Sequence, residues 1–220
     1  QLVLVGQRVQ LEHQGQGQAR LQVGQLHRQL ARRHAGRQQQ APAGVAQAVE
    51  QVEQRLFPFA LAGQGVEIDP EKVLAAIVSG VPVMELDVDA DLSLFATGSY
   101  DTVVLSRTIQ TLRLPDEVLT QMARIAGRLI VSVPNFGLLQ HRLMLLRGRM
   151  PMSRELPYSW YDTPNLRFTT LVDLEDLFAT LGLVIEQRIN LSLTGEPLGK
   201  GFRAANLRAG AAVYVLSSKR

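Results

Sequence analysis

Apolar and polar positions along the chain fall into two regimes that meet near Gln64. From Gly65 onward, short continuous apolar runs alternate with segments whose apolar residues return every three or four positions, the periods of buried strands and of helices. "GVEI" (65–68) reads as a strand, and "PEKVLAAIVSG" as a helix opened by Pro70, with Val73, Leu74, Ile77 and Val78 at helical spacing and Gly80 as the stop. "VPVMEL" (81–86) is the next strand, "DVDADLSLFATGS" a turn-rich connection, and "YDTVVLS" (100–106) a β-branched strand of the fully buried kind. Pro115 opens the helix "PDEVLTQMARIA", with Asp116 and Glu117 at its positive end and Arg124 near its C-terminus; "GRLIVSVP" (127–134) follows as a strand. The helix 171–182 is capped by Thr169 or Thr170 and stopped by Gly182, and "LVIEQRINL" and "AAVYVLSS" close the chain as two strands.

Strands alternating with helices predict an α/β fold: a doubly wound, mostly parallel sheet with helices on both faces. Two last strands with no helix between them predict an antiparallel hairpin at one edge. Residues 134–165, "PNFGLLQHRLMLLRGRMPMSRELPYSWYDTPN", interrupt the rhythm with three Pro after Pro134 and the chain's single Trp. Ligands of open sheets lie beyond the C-terminal ends of the strands, so this insertion is placed to cover a site.

Residues 1–64 have no such consistency. They hold sixteen Gln, three of the four His, seven Arg and three Glu, with no Lys or Asp. This bias reads as low complexity, either a disordered arm or the product of a wrong reading frame upstream of a junction near Gln64; a basic arm for nucleic acid is a third reading, opposed by the dispersal of its Arg. The tract carries a charge of +4 and the remainder, with sixteen basic and seventeen acidic residues, −1, so the basic balance does not belong to residues 65–220 and no nucleic-acid partner is expected. The chain opens on Gln1 rather than Met, which points to a start lying further upstream.

The 220 residues, 46% of them hydrophobic, suffice for one domain with a sizeable core. With no Cys there is no disulfide, thiolate metal cluster or cysteine nucleophile, and His13, His27, His34 and His141 alone remain as imidazole ligands, so no metal site is expected. The longest apolar runs fall well short of the roughly 20 residues a bilayer span needs, so the expectation is a soluble, cytoplasmic chain with no membrane partner.

The strings "GVEIDPEKV", "DVDADL", "YDTVVLSRTIQ", "LPDEVLTQM", "VSVPNFG", "RGRMP", "LPYSWYDTPN" and "DLEDLFATLGL" together resemble the methionine biosynthesis protein MetW family over about 65 to 216. "LPYSWYDTPN" is the most specific of them. The resemblance implies the fold of class I S-adenosylmethionine-dependent methyltransferases, a seven-stranded sheet with an antiparallel last strand, and a partnership with homoserine O-acyltransferase. It implies S-adenosylmethionine as cofactor, with Glu67 at the end of the second strand toward the ribose hydroxyls, Asp87 and Val88 near the adenine, and Ser106 beside them. Such proteins carry a glycine-rich loop about twenty residues before the acidic ribose ligand. Here that interval, "APAGVAQAVEQVEQRLFPFALAGQG", has Gly44 alone, and Gly15 and Gly17 lie too far upstream. The first strand and its loop are thus expected to be missing or replaced, leaving buried strand edges without partners.

No catalytic constellation is evident. Asn135, Tyr158, Trp160, Tyr161 and Asp162 are candidates for a substrate or partner surface, although Asn after Pro is also a common turn arrangement and Trp160 and Tyr161 also suit loop anchoring. Where the family commonly has His, this chain has Leu138 and Arg167, and His141 reads as a residue of a solvated basic helix face. Three functions follow: a MetW-like accessory subunit for homoserine O-acyltransferase, an active methyltransferase on a small molecule or protein, or a truncated domain without function.

Overall fold

The computed structural model describes residues 3–7, 62–153, 155–199 and 204–218. In chain order these form β1 (Val3–Gln7), β2 (Ala62–Glu67), α1 (Pro70–Val78), β3 (Val83–Glu85), β4 (Tyr100–Ser106), α2 (Pro115–Ile125), β5 (Ala126–Pro134), α3 (Leu139–Leu146), α4 (Leu171–Thr180), β6 (Leu183–Leu191), α5 (Ala205–Arg208) and β7 (Ala211–Ser218). Short 3-10 turns at Leu92–Leu94 and Ile109–Thr111 sit before and after β4.

The helix boundaries follow their local chemistry. Asp69 caps α1, its Oδ1 accepting from the N–H groups of Glu71 and Lys72, and Pro70 needs no partner at the first helical position. Gly80, at φ +74°, and Gly182, at φ +70°, turn the chain out of α1 and α4 through a conformation that other residues adopt at a cost. Thr170 caps α4 by accepting from the Asp173 N–H at 3.2 Å. Arg124, near the end of α2, donates to the carbonyls of Phe95 and Leu92 and so ties the turn before β4 to that helix.

One sheet collects the seven strands in the order β3-β2-β1-β4-β5-β7-β6. β2 pairs parallel with β3, and β4 with β5, each pair joined through a helix, α1 or α2. The predicted terminal hairpin is present: β7 runs antiparallel to β6 at the edge and to β5 on its other side, with α5 in the connection between them. The expectation of a mostly parallel sheet does not hold. β1 enters the centre reversed, antiparallel to both β2 and β4, so the parallel pairs are confined to the two pairings beside it.

β1 takes the place where the first strand was expected to be missing or replaced, so no strand edge is left open there: Val3 pairs in register with both Val66 and Leu105, and Gly6 with both Gly63 and Thr102. Residues 8–61, with Gly15, Gly17, Gly44 and three of the histidines, lie outside the described residues.

Each face of the sheet is buried, which is why the strands read as unbroken apolar runs. Val103, Leu105, Leu129, Val131, Tyr214 and Leu216 pack against Leu119 and Met122 of α2 and Leu174 and Phe178 of α4. The alternate residues Val104, Ile130, Val213 and Val215 face the other way, in a smaller cluster with Ala76 of α1 and Val81. Of the four apolar residues that predict α1, only Val73 is buried; Leu74, Ile77 and Val78 are exposed, and Ala76 makes the inward contact.

Candidate functional site

β2 and β4 end on the same side of the sheet, and their last residues are the predicted Glu67 and Ser106. Glu67 is buried, and its Oε1 accepts from the N–H groups of Ile68 at 3.0 Å and Asp69 at 3.1 Å, so the carboxylate organises the turn from β2 into α1. Asp69 in turn pairs with Lys72 at 3.1 Å, and the hydrogen bond from Lys72 holds its carboxyl below the usual range.

Asp87 belongs to a closed acidic turn. Its N–H donates to Asp91 Oδ2 at 2.8 Å and its Oδ1 accepts from the Asp89 N–H at 2.9 Å. Arg113 pairs with the turn, donating through Nη2 to Asp87 Oδ2 at 3.0 Å and through its backbone N–H to Asp89. Arg167, where the resembled family has His, donates to the Arg113 carbonyl and so backs that arginine. Val88 is a core residue, its side chain buried among the apolar residues beneath the sheet.

Ser106 Oγ lies 3.2 Å from Ser132 Oγ, across the parallel pair β4/β5. The following residue, Arg107, has φ +52°, a left-handed conformation costly for any side chain, and its N–H donates to the Ser132 carbonyl at 3.1 Å and to Ser132 Oγ at 3.0 Å. Its guanidinium reaches into the insertion: Nη1 meets Glu155 Oε2 at 2.8 Å and Nη2 the Glu155 carbonyl at 3.2 Å. Sequence reasoning missed this pair because 48 residues separate its members. Only the polar residue just after a buried strand could have signalled it.

The insertion is anchored along its length. Asn135, fully buried, donates from Nδ2 to the carbonyls of Asn206 at 3.0 Å and Ala209 at 2.8 Å, and its Oδ1 accepts from the Gly137 N–H at 2.9 Å. The Gln110 carbonyl, just after β4, accepts from the N–H groups of Leu166 and Arg167 and fixes the far end. Tyr158 is half-buried and Asp162 exposed. Trp160 and Tyr161, 72% and 75% exposed, stack edge to face at 5.6 Å and present their surface outward. His141 corrects its expectation: it is 0% exposed rather than on a solvated face, because α3 turns it inward against Phe136. Its Nδ1 lies 3.3 Å from the Phe136 carbonyl, and burial pushes its pKa down.

Among the described residues no group of three His, Asp or Glu side chains could hold a metal ion, and no helix is long and apolar enough to cross a membrane.

The model of the methionine biosynthesis protein MetW family matches residues 56–216. The chain belongs to the MetW family. A relative from Rhodopirellula baltica, the bifunctional methionine biosynthesis protein MetXA/MetW, is 35% identical over 127 residues, which are 57% of this chain and 20% of that protein. The chain thus spans about a fifth of the length of that curated relative. Among solved structures, a SAM-dependent methyltransferase from Thermotoga maritima matches with a TM-score of 0.51 at 19% identity, covering 70% of this chain and 72% of the other. A chain of the complex containing the Haloferax volcanii Trm112 methyltransferase activator matches with a TM-score of 0.52 at 14% identity, covering 92% and 95%. At such identities the likeness concerns the α/β fold alone.

Glu67 closes β2 and Asp87 stands two residues beyond β3, its neighbour in the sheet, where the resemblance expects cofactor-binding carboxylates. β1 reaches that end of the sheet with its first residue, Val3, which lies beside Val66 and Leu105, whereas Gln7, where the chain leaves the strand, lies beside Ala62 at the opposite end. Glu67 and Asp87 already accept from this chain's own donors.

Proposed function

We propose that this chain serves methionine biosynthesis as the methyltransferase-fold partner of a homoserine O-acyltransferase, the enzyme that the MetW resemblance implies. The observation that carries the reading is the Rhodopirellula baltica relative, in which the MetXA and MetW parts are named together as one bifunctional protein. In that fused chain the two parts stand at high effective concentration toward each other, which suits a shared step better than independent catalysis. A site whose carboxylates are held by Arg113 and by the Ile68 and Asp69 N–H groups suits a subunit better than a turnover site.

The test is co-expression of the chain with the homoserine O-acyltransferase of the same genome, followed by co-purification and by assay of the acyltransferase with and without it. Co-elution with a changed acyl-transfer rate supports the reading; separate elution with an unchanged rate overturns it.

An S-adenosylmethionine-dependent methyltransferase is the second reading, supported by Glu67 and Ser106 ending β2 and β4 on one side of the sheet, with Asp87 just beyond β3. Calorimetric titration with S-adenosylmethionine distinguishes it. Saturable binding that Glu67→Ala weakens by about 1–3 kcal/mol would support it, as expected for a lost hydrogen bond to a charged group. No heat of binding would leave the partner reading alone.

A further inference from the structure

Helix α3 is built like a tool held out from the body of the protein. Only one of its eight residues, His141, is buried, while Leu139, Leu143, Leu145 and Leu146 are exposed, Leu146 at 83%. Leu139, Leu143 and Leu146 follow the spacing i, i+4, i+7 and therefore form one stripe along the helix. A helix this short, with so little of it in the core, would not persist alone in water. It is retained by anchors on both sides: buried His141, the Arg142 Nε bond to the Gly137 carbonyl at 2.8 Å, and the Arg107–Glu155 pair at 2.8 Å downstream. The leucines are thereby presented with little ordering left to lose on binding.

Along the chain, the charge flanking the stripe is of one sign. Residues 136–153 contain Arg142, Arg147 and Arg149 and no Asp or Glu. The three arginines are exposed, and neither Arg147 nor Arg149 meets a carboxylate among the described residues.

We propose that the stripe Leu139, Leu143 and Leu146, with Arg147 and Arg149 at its rim, is the docking surface for the homoserine O-acyltransferase, entering an apolar groove edged by carboxylates on that enzyme. The inference rests on the partner named above and adds the surface and its chemistry. A protein groove suits it better than a lipid surface, because two turns of helix extend only about 12 Å and offer three leucines, too small an apolar face to hold a membrane by itself. A groove that receives i, i+4 and i+7 anchors gives so small a stripe its full burial.

The experiment measures the affinity of the purified full chain for the acyltransferase by titration calorimetry, with folding of each variant checked by circular dichroism. Leu143→Asp/Leu146→Asp is expected to weaken binding by at least about tenfold, as for loss of central apolar anchors. Arg147→Glu/Arg149→Glu is expected to weaken binding at low salt and to reverse the salt dependence of the affinity. Leu74→Asp/Val78→Asp, on the exposed face of α1, serves as the comparison and is expected to leave the affinity unchanged.

Binding by the parent with an unaltered affinity in the α3 variants overturns this surface and leaves the partner intact. Equal losses from the α1 and α3 variants overturn it as well. A parent that does not bind the acyltransferase overturns partner and surface together. Leucine-dependent self-association of the chain, or leucine-dependent binding to vesicles of phosphatidylcholine and phosphatidylglycerol, without acyltransferase binding assigns the stripe to another occupant.

Discussion

Arg107 and Glu155 meet at 2.8 Å across 48 residues, joining the end of β4 to the middle of the insertion. The glutamate side chain is wholly buried and the arginine side chain 20% exposed, so the pair lies largely out of water. Charges in such a place stabilise poorly as a pair but are costly to separate. The pair therefore fixes where the insertion lies more than it raises overall stability.

Removing the cation alone isolates a buried carboxylate. Arg107→Ala is expected to destabilise the protein by about 3 kcal/mol in urea denaturation, and Glu155→Gln by less, because the amide oxygen still accepts from the guanidinium. The backbone adds a second comparison. At φ +52° glycine is the easier residue, so Arg107→Gly is expected to be more stable than Arg107→Ala, against the usual order in which glycine is the more destabilising. The reverse order would remove backbone strain from the account of this turn.

Asn135 and Gly137 form the other anchor. Asn135→Ala leaves two buried carbonyls and one N–H without their partner, for an expected loss of about 2–4 kcal/mol, and Asn135→Asp restores no donor for the carbonyls of Asn206 and Ala209. A Cβ on Gly137 would meet Asn206 Oδ1 at 2.6 Å and Thr170 Cβ at 3.1 Å, so Gly137→Ala is expected to cost about 1–3 kcal/mol by overpacking. Thermal unfolding of the two single variants and the double checks both, and strict additivity would argue against one shared network.

The elements after Gly65 were legible because their signals are local. Pro70 and Pro115 at first helical turns, the Thr170 cap and the stops at Gly80 and Gly182 all stand where the pattern put them. Strand direction at the centre was not legible, since nothing within Val3–Gln7 specifies which way it runs between β2 and β4. The same holds for the site. Glu67 and Ser106 are candidates through the resemblance and stand at strand ends, whereas Arg113, Arg107 and Glu155 enter through contacts between distant segments. His141 was misplaced because a basic helix with leucines on its outer face inverts the usual pattern; the polar residue is the one turned inward.

Tyr214 is fully buried in β7, stacks edge to face on Phe178 at 5.2 Å, and donates its hydroxyl to Glu175 Oε1 at 2.8 Å. Burial and the Glu175 carboxylate hold its pKa far above the usual phenol value, so it stays protonated and a donor. Arg188 also meets Glu175, at 2.6 Å. Tyr214→Phe leaves the carboxylate with its arginine and is expected to cost about 1 kcal/mol, while Glu175→Ala removes the hydroxyl's acceptor and the arginine's carboxylate together and is expected to cost about 2 kcal/mol. Urea denaturation of both variants measures the difference, and equal losses would refute the asymmetry.

His141 supplies a pH signature. Burial lowers its folded-state pKa below the ordinary value near 6.5, so the folded protein resists a proton that the unfolded chain accepts. The stability contributed by keeping this imidazole neutral is present above pH about 6.5 and is lost as the pH falls from there toward the folded-state value, at a slope of up to about 1.4 kcal/mol per pH unit. His141→Gln removes that dependence. The difference between parent and variant, followed by urea denaturation from pH about 7.5 to 5.5, is expected to shift in favour of the variant as the pH falls. Histidines elsewhere in the chain titrate in both proteins and cancel. The Asp69 carboxyl, held below the usual range by Lys72, releases its contribution only at lower pH and acts in the same direction in both. A parent-minus-variant difference that stays flat across the window would place a proton on His141 as readily in the folded state as in the unfolded one.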